Sequence, residues 1–83
     1  MKGLKQKLKL LKVIFEEAGI DKKIFEKIED RCIAMSHLGF PENYIEDNMY
    51  RDIKAYLKDA ERSRFNFVNI AEKYDFDVEF LNS

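Results

Sequence analysis

The chain is poor in residues that interrupt helices and in residues that bind metals or form disulfides. Its 83 residues include one proline, three glycines, one histidine and one cysteine. The single cysteine, Cys32, forms no internal disulfide, so nothing indicates an oxidising compartment. Cys32 and His37 alone are too few for a zinc site, and we expect no metal, no cofactor and a buried thiol.

The sequence also lacks the motifs of the common catalytic sites. It contains no glycine-rich phosphate loop, no metalloprotease helix motif and no nucleophile elbow. Carboxylates are abundant, but acid–base catalysis needs positioned pairs in a cleft, and a small helical domain has little volume for one. We therefore predict that the protein is not an enzyme. A pocket lined by several carboxylates with perturbed pKa values would favour the enzymatic alternative.

Long apolar runs are absent as well. The longest, such as Val13-Ile14-Phe15, are far shorter than the roughly 20 residues that a membrane span requires. No basic start, apolar middle and small-residue cleavage site resembles a signal peptide. We expect a cytoplasmic protein.

Hydrophobic and charged residues dominate the composition. They make up 46% and 37% of the chain, a balance that is typical of a packed helical domain. A chain of this length fits one domain with a modest core. We predict an all-α fold, a small four-helix bundle-like domain that spans residues 1–83.

Apolar spacings of three and four predict the first two helices. The first stripe consists of Leu4, Leu8, Leu11, Phe15 and Ala18. Gly19 is expected to end this helix, because glycine takes the left-handed conformation at little cost. Asp21 is a suitable N-cap for the second helix. The second stripe consists of Ile24, Phe25, Ile28, Cys32 and Met35.

Gly39-Phe40-Pro41 is predicted to be the corner of a central helical hairpin. Gly39 would end the second helix, and Pro41 suits the first turn of a third. Phe40 is placed to fold back onto Met35 or Ser36 and to close the end of the hairpin. The stripe of the third helix consists of Ile45, Met49, Ile53, Tyr56, Leu57 and Ala60.

The C-terminal half permits two interpretations. Spacings of four and three continue without a slip through Ile53, Leu57, Ala60, Arg64, Phe67, Ala71, Tyr74, Val78 and Leu81, which permits one long helix and a seam for a second copy of the chain. We favour a break near Ser63, where Ser63 or Asn66 would cap a fourth helix that ends near Tyr74. The alternating residues 75–81 also permit an extended segment.

Basic residues are concentrated at the start of the chain. Residues 1–12 carry five lysines and no acidic residue, whereas residues 13–83 contain the other 10 basic residues and all 16 acidic residues. On a helical wheel, Lys2, Lys5, Lys9 and Lys12 lie together opposite the apolar stripe. This stripe of lysines is either a solvated face or a contact for nucleic acid or an anionic membrane.

Aromatic residues are numerous, with seven phenylalanines and four tyrosines. Several lie off the predicted stripes and are candidates for a protein interface, which aromatic side chains favour. The predicted interface residues are Tyr44, Arg51, Phe65, Phe76 and Phe80. We predict a small non-catalytic interaction module, a regulator, adaptor or inhibitor, whose partner is another protein or a second copy. Such chains are common among phage and mobile-element accessory proteins, which is an analogy.

Overall fold

The computed structural model of the chain describes residues 3–82. These residues form four α-helices and a short 3₁₀ helix, with no strand among them. The helices are α1 (Leu4–Ala18), α2 (Lys22–His37), α3 (Glu42–Leu57) and α4 (Glu61–Lys73), and the 3₁₀ helix is Glu79–Asn82. The all-α, four-helix prediction is confirmed. None of these helices combines the length and the apolar character needed to cross a bilayer.

The turn between α1 and α2 forms where the sequence predicts it. Gly19 follows α1 with a φ angle of 74°, in the left-handed region, and the amide of Ile20 donates to the carbonyl of Phe15 at 3.0 Å. The Asp21 carboxylate accepts a hydrogen bond from the amide of Lys23 at 2.9 Å. One glycine and one aspartate thus satisfy backbone groups that the ends of α1 and α2 leave unpaired.

The predicted corner joins α2 and α3, which pack directly against each other. Gly39 has a φ angle of 86°, and the amide of Phe40 donates to the carbonyl of Met35 at 3.2 Å. The Phe40 ring, however, stacks on Tyr44 with ring centroids 5.0 Å apart and stays 44% exposed. The Phe40 ring therefore packs on Tyr44 in the first turn of α3 and does not close the end of the hairpin.

The break between α3 and α4 lies earlier than predicted. It occupies residues 58–60, Ala60 is the N-cap, and neither Ser63 nor Asn66 caps a helix start. A single helix over residues 41–81 would be about 60 Å long, whereas the longest dimension of the molecule is 35 Å. The turn sends α4 onto α1, and the one-helix alternative is wrong.

The predicted seam for a second copy is mostly core of the same chain. Its members that are buried within the chain are Ile53, Leu57, Phe67, Ala71 and Leu81. Residues 74–82 are not an extended segment. Asp75 turns the backbone with a φ angle of 57°, and the 3₁₀ helix then packs on α3. A dimer through this seam would require the core to open.

Six aromatic rings form a continuous contact chain through the core. From α2 to the 3₁₀ helix, this aromatic chain consists of Phe25, Phe15, Phe67, Phe76, Tyr50 and Phe80. Successive ring centroids lie 6.1, 5.8, 6.2, 6.3 and 4.6 Å apart. These separations suit edge-to-face and stacked aromatic pairs. The aromatic chain connects all four helices, so many of the numerous aromatic residues are part of the core.

Candidate functional site

A groove of about 540 Å³ lies between α1 and α2. The apolar residues that line it are Leu4, Leu8, Phe25, Cys32 and Ile33. Cys32 and Ser36 also line it and are one helical turn apart on α2. Both side chains are short, so they do not fill the space between α2 and α1, and this space stays open. We call this space the α1–α2 groove.

Three lysines of α1 line this groove. Lys5, Lys9 and Lys12 are exposed, and within residues 3–82 none of them forms a hydrogen bond or an ion pair. We call them the lysine rim. The fourth predicted residue of the stripe, Lys2, lies outside the described residues.

Lys7 differs from its neighbours because it points to α3. Its Nζ lies 2.7 Å from the Glu46 carboxylate and 3.3 Å from the Tyr50 hydroxyl. The hydrogen bond to Glu46 is the main reason why the pKa of Lys7 is raised above its usual value. The lysines of α1 therefore divide into one that holds α1 on α3 and three that face the α1–α2 groove.

Acidic side chains occupy the other sides of the α1–α2 groove. Glu29 lines it from α2, and Glu42 lines it at the end nearest Gly39. The Glu42 carboxylate accepts a hydrogen bond from the amide of Leu4 at 2.9 Å. Since Gly3 offers no capping side chain, Glu42 caps α1 from α3. This bond fixes one end of the groove.

The α1–α2 groove continues toward the turn at Gly19. Lys12, Phe25 and Glu29 also line a recess of about 210 Å³ that Glu16 and Ile20 help to form. From Leu4 to Glu16, α1 rises about 18 Å at roughly 1.5 Å per residue. The open surface beside α1 is therefore about three helical turns long.

Exposed apolar side chains lie in and near the corner between α2 and α3. Leu38 is 76% exposed, and Phe40 and Tyr44 form an exposed stacked pair. Ile33, which lines the α1–α2 groove, is 47% exposed. We call Leu38, Phe40 and Tyr44 the exposed corner. Four of the six exposed large hydrophobic side chains of the described residues thus lie within residues 33–44.

The five predicted interface residues do not form one exposed surface. Phe76 is 6% exposed and belongs to the aromatic chain, so its prediction as a contact residue is wrong. The reason is that the turn at Asp75 folds it beneath α3 and α4. Phe80 is half-buried on Tyr50, and it lines a shallow recess together with Arg51. Phe65 is 67% exposed on α4, and Tyr44 is part of the exposed corner.

Cys32 has the environment of an inert thiol. It is 2% exposed, and burial is the main cause that raises its pKa from 9.0 to about 11. A nucleophilic cysteine needs the opposite shift. Among residues 3–82, no group of three or more histidine, cysteine, aspartate or glutamate side chains is placed to hold a metal ion.

The exposed residues of the contact surface that the sequence did not predict are Ile33, Leu38 and Phe40. Ile33 follows Cys32 directly and stands outside the apolar stripe of α2, where every other residue except Ala34 is polar. Leu38 stands at the end of α2, next to the glycine that ends the helix. An apolar residue on a polar helix face is the sequence signal that identifies such positions.

Comparison of the chain with known proteins finds no matching family model, no matching curated protein and no matching solved structure.

Proposed function

We propose that the chain is a non-catalytic protein-binding module, a regulator, adaptor or inhibitor that acts in the cytoplasm. Its contact surface is the α1–α2 groove together with the exposed corner. The observation that supports this function is the concentration of four of the six exposed large hydrophobic side chains within residues 33–44.

These exposed side chains are not needed to fill the core. The described residues bury their core from Leu11 to Leu81 without Ile33 or the exposed corner. Covering apolar surface contributes about 25 cal/mol per Å², and adjacent exposed apolar residues are common at protein interfaces. Aromatic side chains such as Phe40 and Tyr44 are also enriched there. A bound protein would cover a surface that the fold leaves in water.

The test of this function is capture of partners from a lysate of the organism that encodes the chain. The test variant is Ile33→Ser/Leu38→Ser/Tyr44→Ser, which makes the contact surface polar. The control variant is Val13→Ser/Phe65→Ser, which changes the two other exposed hydrophobic residues. Wild type and control should capture a common set of proteins that the test variant loses. All three proteins should keep their helical circular dichroism.

The proposal is wrong if the folded test variant captures the same proteins as wild type. Loss of capture by both variants would also contradict it, because the contact would then not be confined to this surface.

The second candidate function is binding of a nucleic acid or an anionic membrane by the lysine rim. It is supported by the exposure of Lys5, Lys9 and Lys12 without an acidic partner among the described residues. Binding would weaken at higher salt, because salt screens the charges and makes the release of counterions on binding less favourable. Gel-shift and vesicle assays at low salt should show binding that Lys5→Gln/Lys9→Gln/Lys12→Gln removes. Absence of binding at low salt excludes this function.

A further inference from the structure

We infer that the α1–α2 groove receives an acidic amphipathic helix of a partner protein, with its apolar side in the groove and its acidic side along the lysine rim. This inference rests on the proposed function and names the chemistry of the partner.

The shape and lining of the groove fit a helix. Its floor is apolar, with Leu8 and Ile33 on opposite sides and Phe25 at the end nearest the α1–α2 turn. Its open length beside α1 matches about three turns of a partner helix. A helix that docks in this way presents apolar residues at positions i, i+3 or i+4, and i+7.

The lysine rim favours an acidic occupant. Lys5, Lys9 and Lys12 are spaced four and three residues apart, so their ammonium groups are neighbours on α1 and repel one another. Lys5 stands in the first turn of α1, where the helix dipole is positive, α1 itself contributes no acidic residue to this turn, and the Glu42 carboxylate of α3 offsets only part of the charge at the amide of Leu4. A row of carboxylates on a partner would relieve both unfavourable interactions.

The acidic side of the groove argues for a helix rather than a nucleic acid or a membrane. Glu29 lines the groove from α2 while the lysine rim lines it from α1, and Glu42 lines its end, so the site carries charges of both signs. A helix with one acidic flank and one neutral or basic flank complements both sides. A phosphate-rich surface would meet Glu29 and Glu42 with like charge and would leave the apolar floor unfilled.

The experiment is selection from a displayed library of amphipathic peptides of roughly 14 residues, long enough for about four helical turns. The apolar positions are fixed as leucine, and the flanking positions vary freely among acidic, basic and neutral residues. The enriched peptide is then synthesised with a fluorescent label, and its affinity is measured by anisotropy. Methyl NMR of Leu8 and Ile33 locates the bound peptide, and Ile70 on α4 serves as the remote reference.

The matched variants carry the same change in net charge. Lys5→Glu/Lys9→Glu/Lys12→Glu reverses the lysine rim, and Lys23→Glu/Lys27→Glu/Lys58→Glu reverses three exposed lysines elsewhere. Enriched peptides should carry acidic residues on one flank and shift the Leu8 and Ile33 methyl signals. Reversal of the rim should weaken binding about tenfold, since each exposed ion pair contributes modestly. The control should bind like wild type, and a peptide with lysines in place of its acids should recover binding to the reversed rim.

Other outcomes overturn the inference in distinguishable ways. If neutral or basic peptides bind the groove and bind equally well after reversal of the lysine rim, the inference of an acidic partner is wrong. The proposed protein-binding function would still stand. If no peptide shifts the Leu8 or Ile33 signals and the lysate test also fails, the inferred acidic helix and the proposed protein-binding function are both wrong. A short DNA duplex, or vesicles of phosphatidylcholine and phosphatidylserine, that shift these signals more strongly than the peptide would assign the site to a polyanion.

Discussion

The two sides of α1 differ in how completely the rest of the chain covers them. On one side, Leu11, Ile14 and Phe15 are fully covered, and Phe15 contacts Phe67 of α4. On the other side, the lysine rim borders the open α1–α2 groove, and Leu4 and Leu8, which belong to the same apolar stripe as Leu11 and Phe15, are only half-buried beside it. We call these the closed side and the open side. The helix is amphipathic along its whole length, so the difference comes from what the rest of the chain places against it.

The closed side is covered by α4, and the C-terminal segment packs against α4 and α3. Phe76 packs against Phe67 and Tyr50, and the Arg64 guanidinium donates to the carbonyl of Leu81 at 3.1 Å. No equivalent segment among residues 3–82 crosses the α1–α2 groove. The aromatic chain therefore marks the packed core, whereas the accessible apolar surface combines aliphatic side chains beside the lysine rim with the exposed corner.

The largest expected effect is on the closed side. Phe67→Ala removes a fully buried ring that contacts Phe15 and Phe76. The free energy of unfolding should fall by about 3–5 kcal/mol, as for other buried aromatic residues. Urea denaturation measures it. Phe65→Ala, two residues earlier on the same helix and exposed, should change it by less than about 0.5 kcal/mol. Equal losses in the two variants would refute the division into sides.

The reactivity of the Cys32 thiol reports whether water reaches the floor of the α1–α2 groove. Burial raises the pKa of its thiol from 9.0 to about 11, which reduces the thiolate fraction at about pH 8 roughly a hundredfold relative to the unfolded chain. Alkylation of the native protein should be slower than alkylation in urea by at least that factor. As a control, Cys32→Ser/Ser36→Cys moves the thiol one turn along α2 to an exposed position and should react rapidly. Fast labelling of native Cys32 would mean that the floor is open to solvent.

Gly39 turns the chain from α2 toward α3 beside the exposed corner. A Cβ atom at Gly39 would meet nothing within 4 Å, so the main cost of Gly39→Val is the left-handed backbone at a φ angle of 86°. We expect a loss of about 1–2 kcal/mol, measured by thermal unfolding. Gly39→Asn should lose less, because asparagine tolerates this conformation. An unchanged melting temperature in Gly39→Val would mean that the backbone at the corner is not held in this conformation.

The smallest expected effect is a pH dependence where α1 meets the end of α4. The Tyr74 hydroxyl donates to the Glu17 carboxylate, and this hydrogen bond is the main cause that lowers the pKa of Glu17 below 4.5. A lowered pKa in the folded state contributes stability above pH 4.5, and this contribution disappears as the pH falls through the lowered value. Tyr74→Phe should therefore lose less stability on acidification than wild type.

Urea midpoints measured from neutral to acidic pH check this difference. Tyr56→Phe, a change to a half-buried tyrosine elsewhere, should follow the wild-type profile. Parallel profiles for wild type and Tyr74→Phe would show that this hydrogen bond does not contribute to stability.

The helices and three of their ends could be predicted because each depends on local chemistry. The apolar stripes repeat at helical spacing, and Gly19, Asp21 and Gly39 have conformations or hydrogen bonds that their residue types favour. The break at residues 58–60 could not be placed, since Ala60 is a weak capping residue. Its position depends instead on the packing of α4 against α1.

The candidate site was less predictable than the fold. The lysine rim was visible as a stripe of lysines, but a helical wheel shows neither the neighbouring helix nor a groove. The groove depends on the two short side chains, Cys32 and Ser36, that happen to face α1. If the helical spacing is extended through Leu81, Phe76 lies off the apolar seam, which predicts an exposed side chain. The chain leaves the helix at Tyr74, so this helical position does not apply to Phe76.

The contact between Phe15 and Phe67 also affects how the protein folds during synthesis. These rings meet across the core although Phe67 follows Phe15 by 52 residues. Ribosomes add about 5–20 residues per second, so Phe67 is synthesised about 3–10 s after Phe15, and during that time α1 has no α4 to pack against. The nascent chain is therefore open to chaperones until α4 has emerged, and the core closes only after most of the protein has been made.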